Sequence, residues 1–221
     1  MSEQVTSERP LRVGVVGCGR ISRFHTTAYQ RASGVQIASV YDVNRAAAEA
    51  LAKETSAVVA SSLDEMVEQH GLNAVSVCTP PRFHLEHCRP FLEAGIAVLC
   101  EKPLTTSGTD ARRLAALVRR RRAVFMVGFC HRFHPPILAL RELLQGGALG
   151  RPVVFRVTFA GRLELAGDHR AQRALSGGGC LADNGSHAVD LFRFLSGRSV
   201  RSRRRWWGDW CSARQWKISR C

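Results

Sequence analysis

The first 130 or so residues alternate short apolar runs with longer segments of mixed polar and apolar residues. The run Leu11–Val16 ends in a glycine turn, and the segment Arg20–Arg31 that follows has the mixed pattern of a helix. The same order recurs as far as residue 129. It predicts strands over residues 11–16, 35–41, 57–60, 74–78, 97–100 and 123–129, with helices over residues 20–31, 45–54, 83–94 and 109–122.

One further helix start is indicated by a serine and a glutamate three residues apart. Ser62 and Glu65 have the spacing of a capping box, in which each side chain satisfies a free amide at the start of a helix. Strands joined by helices of about ten to fourteen residues require right-handed crossovers and a mostly parallel sheet covered on both faces. The sequence therefore predicts an α/β fold with a doubly wound parallel sheet of the Rossmann type.

The pattern changes after His134, where two prolines follow. We predict a helix over residues 137–145, a strand over residues 153–159 and a helix over residues 183–195. The expected organisation is a dinucleotide-binding domain over residues 1–134, the start of a second α/β domain over residues 135–196, and an atypical tail over residues 197–221.

The turn after the first strand fits a dinucleotide-binding fingerprint, with Ser22 at the third glycine position. Gly17 permits a tight turn and Gly19 lets the backbone approach a pyrophosphate at the helix N-terminus. Asp42, at the end of the second strand, can accept hydrogen bonds from the adenosine ribose hydroxyls. Two alternatives remain open, because glycine turns are common and Asp42 could simply cap the helix that begins near Arg45.

Asp42 also bears on the choice of cofactor. A carboxylate there repels the 2′-phosphate of NADP, which favours NAD, whereas Arg45 could pair with that phosphate. NAD is therefore the expected cofactor, with NADP possible.

Two more strand ends carry candidate ligand-binding residues. Thr79 and Pro80 follow the fourth strand, and Lys102 follows the fifth, at the edge where doubly wound sheets bind ligands. A lysine there can donate to a substrate hydroxyl, although a lysine before a proline is also common in solvated loops.

A later glycine-rich segment leads to Asp183 and His187, which share one face of a helix. Histidine is suited to accept the proton of an alcohol as hydride leaves, and the aspartate could orient it. The spacing alone also fits a helix N-terminus with an exposed histidine. Two such ligands make a poor zinc site, so no metal is expected.

Composition limits the other function classes. The chain has 45% hydrophobic residues, no apolar run long enough for a membrane span, and no signal segment, which predicts a globular cytoplasmic protein. Six of the eight cysteines lie in or beside predicted elements without metal-ligand spacing, and reduced thiols are expected; they are Cys18, Cys78, Cys88, Cys100, Cys130 and Cys180. Residues 197–221 contain eight of the 32 lysines and arginines and all four tryptophans. A nucleic-acid role for this tail is a minor alternative, and no nucleic acid is expected as a partner.

Taken together, these motifs resemble the glucose-fructose oxidoreductase, inositol dehydrogenase and rhizopine-catabolism (Gfo/Idh/MocA) family of NAD(P)-dependent oxidoreductases. The resemblance covers about residues 11–197. It implies that Lys102, Asp183 and His187 are catalytic, with His187 as the usual acid/base. The cofactor-binding residues that motif and resemblance together indicate are Gly17, Gly19, Arg20, Ile21, Asp42, Thr79, Pro80, His84, Glu101, Lys102 and Arg132.

The resemblance further implies hydride transfer to or from a sugar, an inositol or a related polyol derivative, and homo-oligomers among full-length relatives. It also implies that most strands of the second domain are missing and that the tail departs from the family pattern. A shift of reading frame would explain both, and translation of the neighbouring frames would test it. The alternative function is a dinucleotide-binding protein without turnover.

Overall fold

The computed structural model describes residues 10–160 and 169–197. Within them lies one six-stranded sheet in the order β3-β2-β1-β4-β5-β6, in which every neighbouring pair is parallel. The strands are β1 (Leu11–Val16), β2 (Val35–Tyr41), β3 (Val58–Val59), β4 (Ala74–Val77), β5 (Ala97–Cys100) and β6 (Phe125–Val127). The predicted doubly wound sheet is confirmed, and its order reverses between β1 and β4, where such sheets bind ligands.

Helices connect these strands and continue beyond them. They are α1 (Arg20–Arg31), α2 (Arg45–Thr55), α3 (Leu63–Gln69), α4 (His84–Glu93), α5 (Gly108–Arg121), α6 (Pro135–Gln145), α7 (Arg173–Ser176) and α8 (Gly179–Ser196). Short 3-10 turns occupy Pro81–Phe83, Cys130–Phe133 and His169–Ala171. Sequence analysis did not predict α7 or the turn at His169–Ala171, and it placed the start of α8 four residues too late.

Side-chain caps fix where several helices begin. Ser62 Oγ accepts from Glu65 N at 3.0 Å, as the predicted capping box requires. The return bond differs, because the Glu65 carboxylate accepts from Ser61 N at 2.7 Å rather than from Ser62. Asn44 caps α2 by accepting from Ala47 N at 3.3 Å.

The sheet is buried on both faces, as its apolar strands require. Successive side chains of a strand point to opposite faces. Val15 and Val16 of β1 accordingly belong to two different apolar clusters, one with Leu51 of α2 and the other with Phe91 of α4. Both valines are fully buried. The six cysteines in the described ranges are free thiols, and four of them, Cys18, Cys78, Cys88 and Cys100, are buried.

The chain divides into two compact units. The first contains the sheet, runs to Cys130 and resumes over Thr158–His187, and the second holds His131–Val157 and begins again at Ala188. The strand predicted over residues 153–159 is wrong, since residues 152–160 have no regular structure. A strand requires a hydrogen-bonded neighbour, no described segment pairs with this one, and Val153 and Val154 are exposed.

The predicted tail beyond residue 197 lies outside the described residues. Among the helices that the structure describes, none combines the length and the apolar character needed to cross a membrane.

Candidate functional site

The first unit contains a cavity of about 530 Å³ at the carboxyl edge of the sheet. Its lining joins the β1–α1 turn to the ends of β2, β4 and β5 and to the start of α8. The lining residues are Gly17, Gly19, Arg20, Ile21, Tyr41, Asp42, Val43, Cys78, Thr79, Pro80, Pro81, Phe83, His87, Glu101, Lys102, His169, Arg170 and Asp183. A second depression, of about 640 Å³, lies among α3, α4 and α5, and Phe83 lines both.

The glycine turn at the floor of the cavity depends on two glycines for different reasons. Gly17 has φ 92°, and a Cβ there would lie 2.8 Å from the carbonyl carbon of Cys78, so no side chain fits. A Cβ added at Gly19 would have no other atom within 4 Å, so the space beside this glycine is open to the cavity. Ser22 replaces the third glycine, is fully buried, and donates to the Gly19 carbonyl at 2.6 Å. The turn tolerates this serine because its hydroxyl is satisfied locally.

The N-terminus of α1 opens into the same cavity. Gly19 is its N-cap and has no side-chain hydrogen bond, and the first turn carries no acidic residue. The backbone amides there are free of side-chain caps, and the helix dipole favours an anion. Arg20 and Ile21, both predicted as cofactor-binding residues, line the cavity beside this turn.

Asp42 holds the glycine turn and also lines the cavity. Its Oδ2 accepts from Cys18 N at 2.7 Å and its Oδ1 from Asn44 N at 2.8 Å. The alternative role as a helix cap is wrong, since Asn44 caps α2. Burial, which has the larger effect, and the nearby Asp42 carboxylate together raise the pKa of Cys18 to about 12. Arg45 forms an exposed ion pair with Glu49 at 2.9 Å.

The residues after β4 include one histidine that sequence analysis chose and another that it missed. His84 is completely buried, with Nε2 2.7 Å from the Thr79 carbonyl and Nδ1 3.1 Å from the Leu104 carbonyl. It is absent from the cavity lining and holds two loops together. Thr79 and Pro80 do line the cavity, together with His87, one turn further along α4.

Glu101 connects the cavity to a polar network between α1 and β4. Its Oε1 lies 2.9 Å from His25 Nε2, His25 Nδ1 lies 3.0 Å from Ser76 Oγ, and Ser76 Oγ lies 2.6 Å from Tyr29 Oη. Burial raises the pKa of Glu101, but the hydrogen bond and charge of His25 and the Lys102 amide together bring it below its usual value. A Cβ at Gly128 would lie 2.8 Å from Glu101 Oε1, so the carboxylate uses the space of that missing side chain.

Lys102 and Asp183 form an ion pair between Nζ and Oδ1 in the cavity, with 18% of each side chain exposed. Arg170 lies 4.0 Å from the other Asp183 oxygen. The Lys102–Pro103 peptide bond is cis. Gly177, at φ 80°, passes so close to Thr106 that a Cβ would lie 2.9 Å from its Cα, which brings the start of α8 near Lys102.

The other predicted catalytic residue, His187, lies one helical turn beyond Asp183. It is buried, and its ring contacts Phe129 in an edge geometry at 5.9 Å and Phe159 at 6.1 Å. It is not among the residues that line the cavity. The structure thus brings Lys102 and Asp183 together and places His187 in an aromatic setting.

Arg132, predicted to bind the cofactor, belongs to the second unit. Its Nε donates to Asp190 Oδ2 at 2.8 Å, and its Nη2 donates to Asp190 Oδ1. Asp190 is buried, and the guanidinium lies 5.5 Å from the centroid of the Phe194 ring. A two-point pair with a buried carboxylate is a stabilising arrangement within that unit.

The cavity and network residues that sequence analysis did not select include His25, Phe83, His87 and Arg170. For His87 a signal existed, because apolar residues follow His84 at helical spacing, at Cys88, Phe91 and Leu92. This helical spacing assigns His84 to the core and leaves His87 on a different face. Arg170 had no such signal, since it lies in an unpredicted turn.

Comparison with known proteins agrees with this geometry. Residues 11–129 match the model of an oxidoreductase family with an NAD-binding Rossmann fold, and residues 137–206 match the GFO/IDH/MocA C-terminal domain. The chain is 34% identical over 200 residues to a D-glucoside 3-dehydrogenase of Escherichia coli, covering 89% of this chain and 57% of that protein. It is 30% identical over 187 residues to an inositol 2-dehydrogenase of Rhizobium meliloti, covering 85% and 55%.

A solved structure of the WlbA dehydrogenase from Bordetella pertussis, in complex with NADH and UDP-GlcNAcA, is also similar. The TM-score is 0.72 at 26% identity, over 86% of this chain and 56% of that one. The chain thus spans little more than half the length of the relatives that it matches.

Proposed function

The chain belongs to the Gfo/Idh/MocA family of oxidoreductases, and we therefore propose that it binds a nicotinamide dinucleotide, NAD in preference to NADP, at the cavity on its sheet edge. The residues present fit such a group. Gly19 leaves space where a pyrophosphate would approach, α1 presents uncapped amides, and Asp42 lines the cavity where a ribose is bound in this fold.

The proposed reaction is hydride transfer to or from a hydroxyl or carbonyl of a sugar, an inositol or a related polyol derivative. The bound nicotinamide supplies or accepts the hydride. The observation that carries the proposal is that the Lys102–Asp183 pair and the Gly17–Gly19 turn line one cavity. The same class of substrate occurs in the names of the relatives, D-glucoside 3-dehydrogenase and inositol 2-dehydrogenase.

The residues of the chain supply the proton chemistry. Oxidation of an alcohol releases its hydroxyl proton as the hydride leaves carbon, and His187 is the predicted acceptor of that proton and its donor when a carbonyl is reduced. The Lys102 ammonium can donate a hydrogen bond to the substrate oxygen, and Asp183 orients that ammonium through their ion pair. The acid/base role of His187 stays a prediction, since its ring packs against Phe129 and Phe159.

Two measurements test this function. Titration of the chain with NADH, followed by fluorescence, is expected to give saturable binding, tighter than for NADPH. Absorbance at 340 nm across a panel of sugars and polyols is expected to reveal turnover, and Lys102→Met is expected to reduce it at least about 100-fold while NADH still binds. Absence of NADH binding contradicts the proposal, and binding without turnover supports the alternative, a dinucleotide-binding protein.

The proposal also concerns the domain boundary, the cellular location and the oligomeric state. A domain boundary near residue 134 is supported by the two family models, which match on either side of it. A cytoplasmic location remains a prediction, which cell fractionation would test. Homo-oligomers are predicted only for full-length relatives, and light scattering would measure the oligomeric state of this chain.

A further inference from the structure

Two aromatic rings stand side by side in the cavity. The rings of Phe83 and His87 have centroids 5.6 Å apart and planes inclined by 15°. Both residues line the cavity, beside the Thr79 and Pro80 segment that follows β4. Neither belongs to the motifs that sequence analysis identified, and no role described above uses them.

The imidazole of His87 is held by one of its two nitrogens. Nδ1 lies 3.0 Å from Thr79 Oγ1, whereas Nε2 has no hydrogen-bond partner within residues 10–160 and 169–197. Stacking on Phe83 and the bond to Thr79 together fix the ring in place. An oriented polar ring atom without a partner, on a residue that lines a cavity, is available to a ligand.

The surroundings of the His87 ring favour its uncharged form. Burial lowers the pKa of His87, with the nearby His84 acting in the same direction and the carboxylates of Glu86 and Asp42 acting against it. A neutral imidazole carries one N–H and one lone pair. Nε2 therefore offers a ligand one hydrogen bond, as donor or as acceptor according to the tautomer.

The neighbours of His87 indicate which part of a dinucleotide it would meet. His87 Nδ1 lies 3.0 Å from Thr79 Oγ1, and the Thr79 methyl lies beside the glycine turn, since a Cβ at Gly17 would be 2.9 Å from Thr79 Cγ2. Asp42 holds the same turn through its hydrogen bond from Cys18 N. Asp42 marks the adenosine ribose in this fold. His87 thus lies toward the adenosine end of the cavity.

We propose that His87, held by Thr79 and Phe83, hydrogen-bonds the adenosine half of the bound dinucleotide through Nε2 and so determines affinity for that half. This inference rests on the proposed dinucleotide binding. A substitution at position 87 should therefore weaken binding of the adenosine half and leave binding of the nicotinamide half unchanged.

The test uses His87→Phe, which keeps a ring against Phe83 and removes both nitrogens. Affinities are measured by calorimetry for NADH, for ADP-ribose and for reduced nicotinamide mononucleotide, which lacks the adenosine half. Loss of one hydrogen bond is expected to weaken NADH and ADP-ribose between about twofold and tenfold, to the same extent, and to leave the mononucleotide unchanged. His134→Phe, at an exposed histidine of the second unit, is the matched control and is expected to change none of the three.

Each other outcome counts against the inference. An unchanged affinity for NADH, or an equal loss for NADH and the mononucleotide, overturns the role of His87 and leaves dinucleotide binding intact. A wild-type chain that binds neither NADH nor ADP-ribose overturns the proposed function and this inference with it. Circular dichroism and the melting temperature of His87→Phe separate misfolding from a local loss, because a folded variant melts near the wild type.

Discussion

Glu101 and His25 form a hydrogen-bonded pair, with 2.9 Å between Oε1 and Nε2 and only 12% and 11% of their side chains exposed. One partner lines the cavity and the other lies on α1, whose N-terminus faces the same space. The pair therefore links the strand end that carries Lys102 to the helix that would receive a pyrophosphate.

Removing this pair is expected to destabilise the fold. His25→Ala leaves the largely buried Glu101 carboxylate without one of its donors, and the expected loss is about 1.5–3 kcal/mol in the free energy of unfolding, measured by urea denaturation. Arg23→Ala, on the same helix, removes an exposed pair with Glu54 and is expected to cost less than about 1 kcal/mol. An equal decrease in the free energy of unfolding in the two variants would show that the His25–Glu101 pair stabilises the fold no more than an exposed ion pair.

The two glycines of the turn are expected to fail in different ways when replaced by alanine. Gly17→Ala combines a positive φ with a backbone clash, so the expected cost is about 1–3 kcal/mol of stability. Gly19→Ala has ordinary backbone angles and an open Cβ position, so the melting temperature should stay near the wild-type value. Its methyl group would occupy cavity space, and NADH titration should show weaker binding. A stable Gly17→Ala variant would argue against this account.

Cofactor preference is expected to depend on the charge of Asp42. Asp42→Asn keeps an oxygen to accept from a backbone amide but removes the charge that repels a 2′-phosphate. The ratio of NADH to NADPH affinity should fall by at least about fivefold, equivalent to about 1 kcal/mol. Glu68→Gln makes the same chemical change at an exposed position of α3 and should leave the ratio unaltered. A preserved ratio in Asp42→Asn would remove this residue from cofactor selection.

His84 is expected to contribute to acid sensitivity. Burial lowers its pKa from 6.5, against the opposing effect of the Thr79 and Leu104 carbonyls. The unfolded chain therefore binds the proton more readily than the folded one, and stability falls as pH drops below about 6.5 toward the lower folded pKa. His84→Gln, compared with the wild type by urea denaturation between pH 7.5 and 5, should show a smaller fall. Parallel curves would show that His84 does not titrate on unfolding.

Much of the sheet could be predicted because its signals are local. The bounds of β1, β2 and β5 agree with the predicted ones, since buried strands between glycine turns and helix caps leave little freedom. The strand over residues 153–159 failed because its partner is not a local property. Apolar residues can indicate a strand, but only a neighbouring strand can supply its hydrogen bonds.

The site residues also divide into those that a local signal predicts and those that depend on distant segments of the chain. A short motif fixes the geometry of the glycine turn and the acid that follows it, so the sequence alone could predict Gly17, Gly19 and Asp42. His84 was misplaced relative to the cavity since its motif position was considered without the helical spacing that buries it. The pairing of Lys102 with Asp183 joins segments 81 residues apart, and the intervening turn at His169–Ala171 has no sequence signal.

Gly128 gives the Glu101 carboxylate the room that it occupies. Positions 101 and 128 are therefore not independent design variables. A side chain at position 128, just after β6, would push the end of the Glu101 side chain out of its present place, so a redesign of the cavity must consider the two positions together.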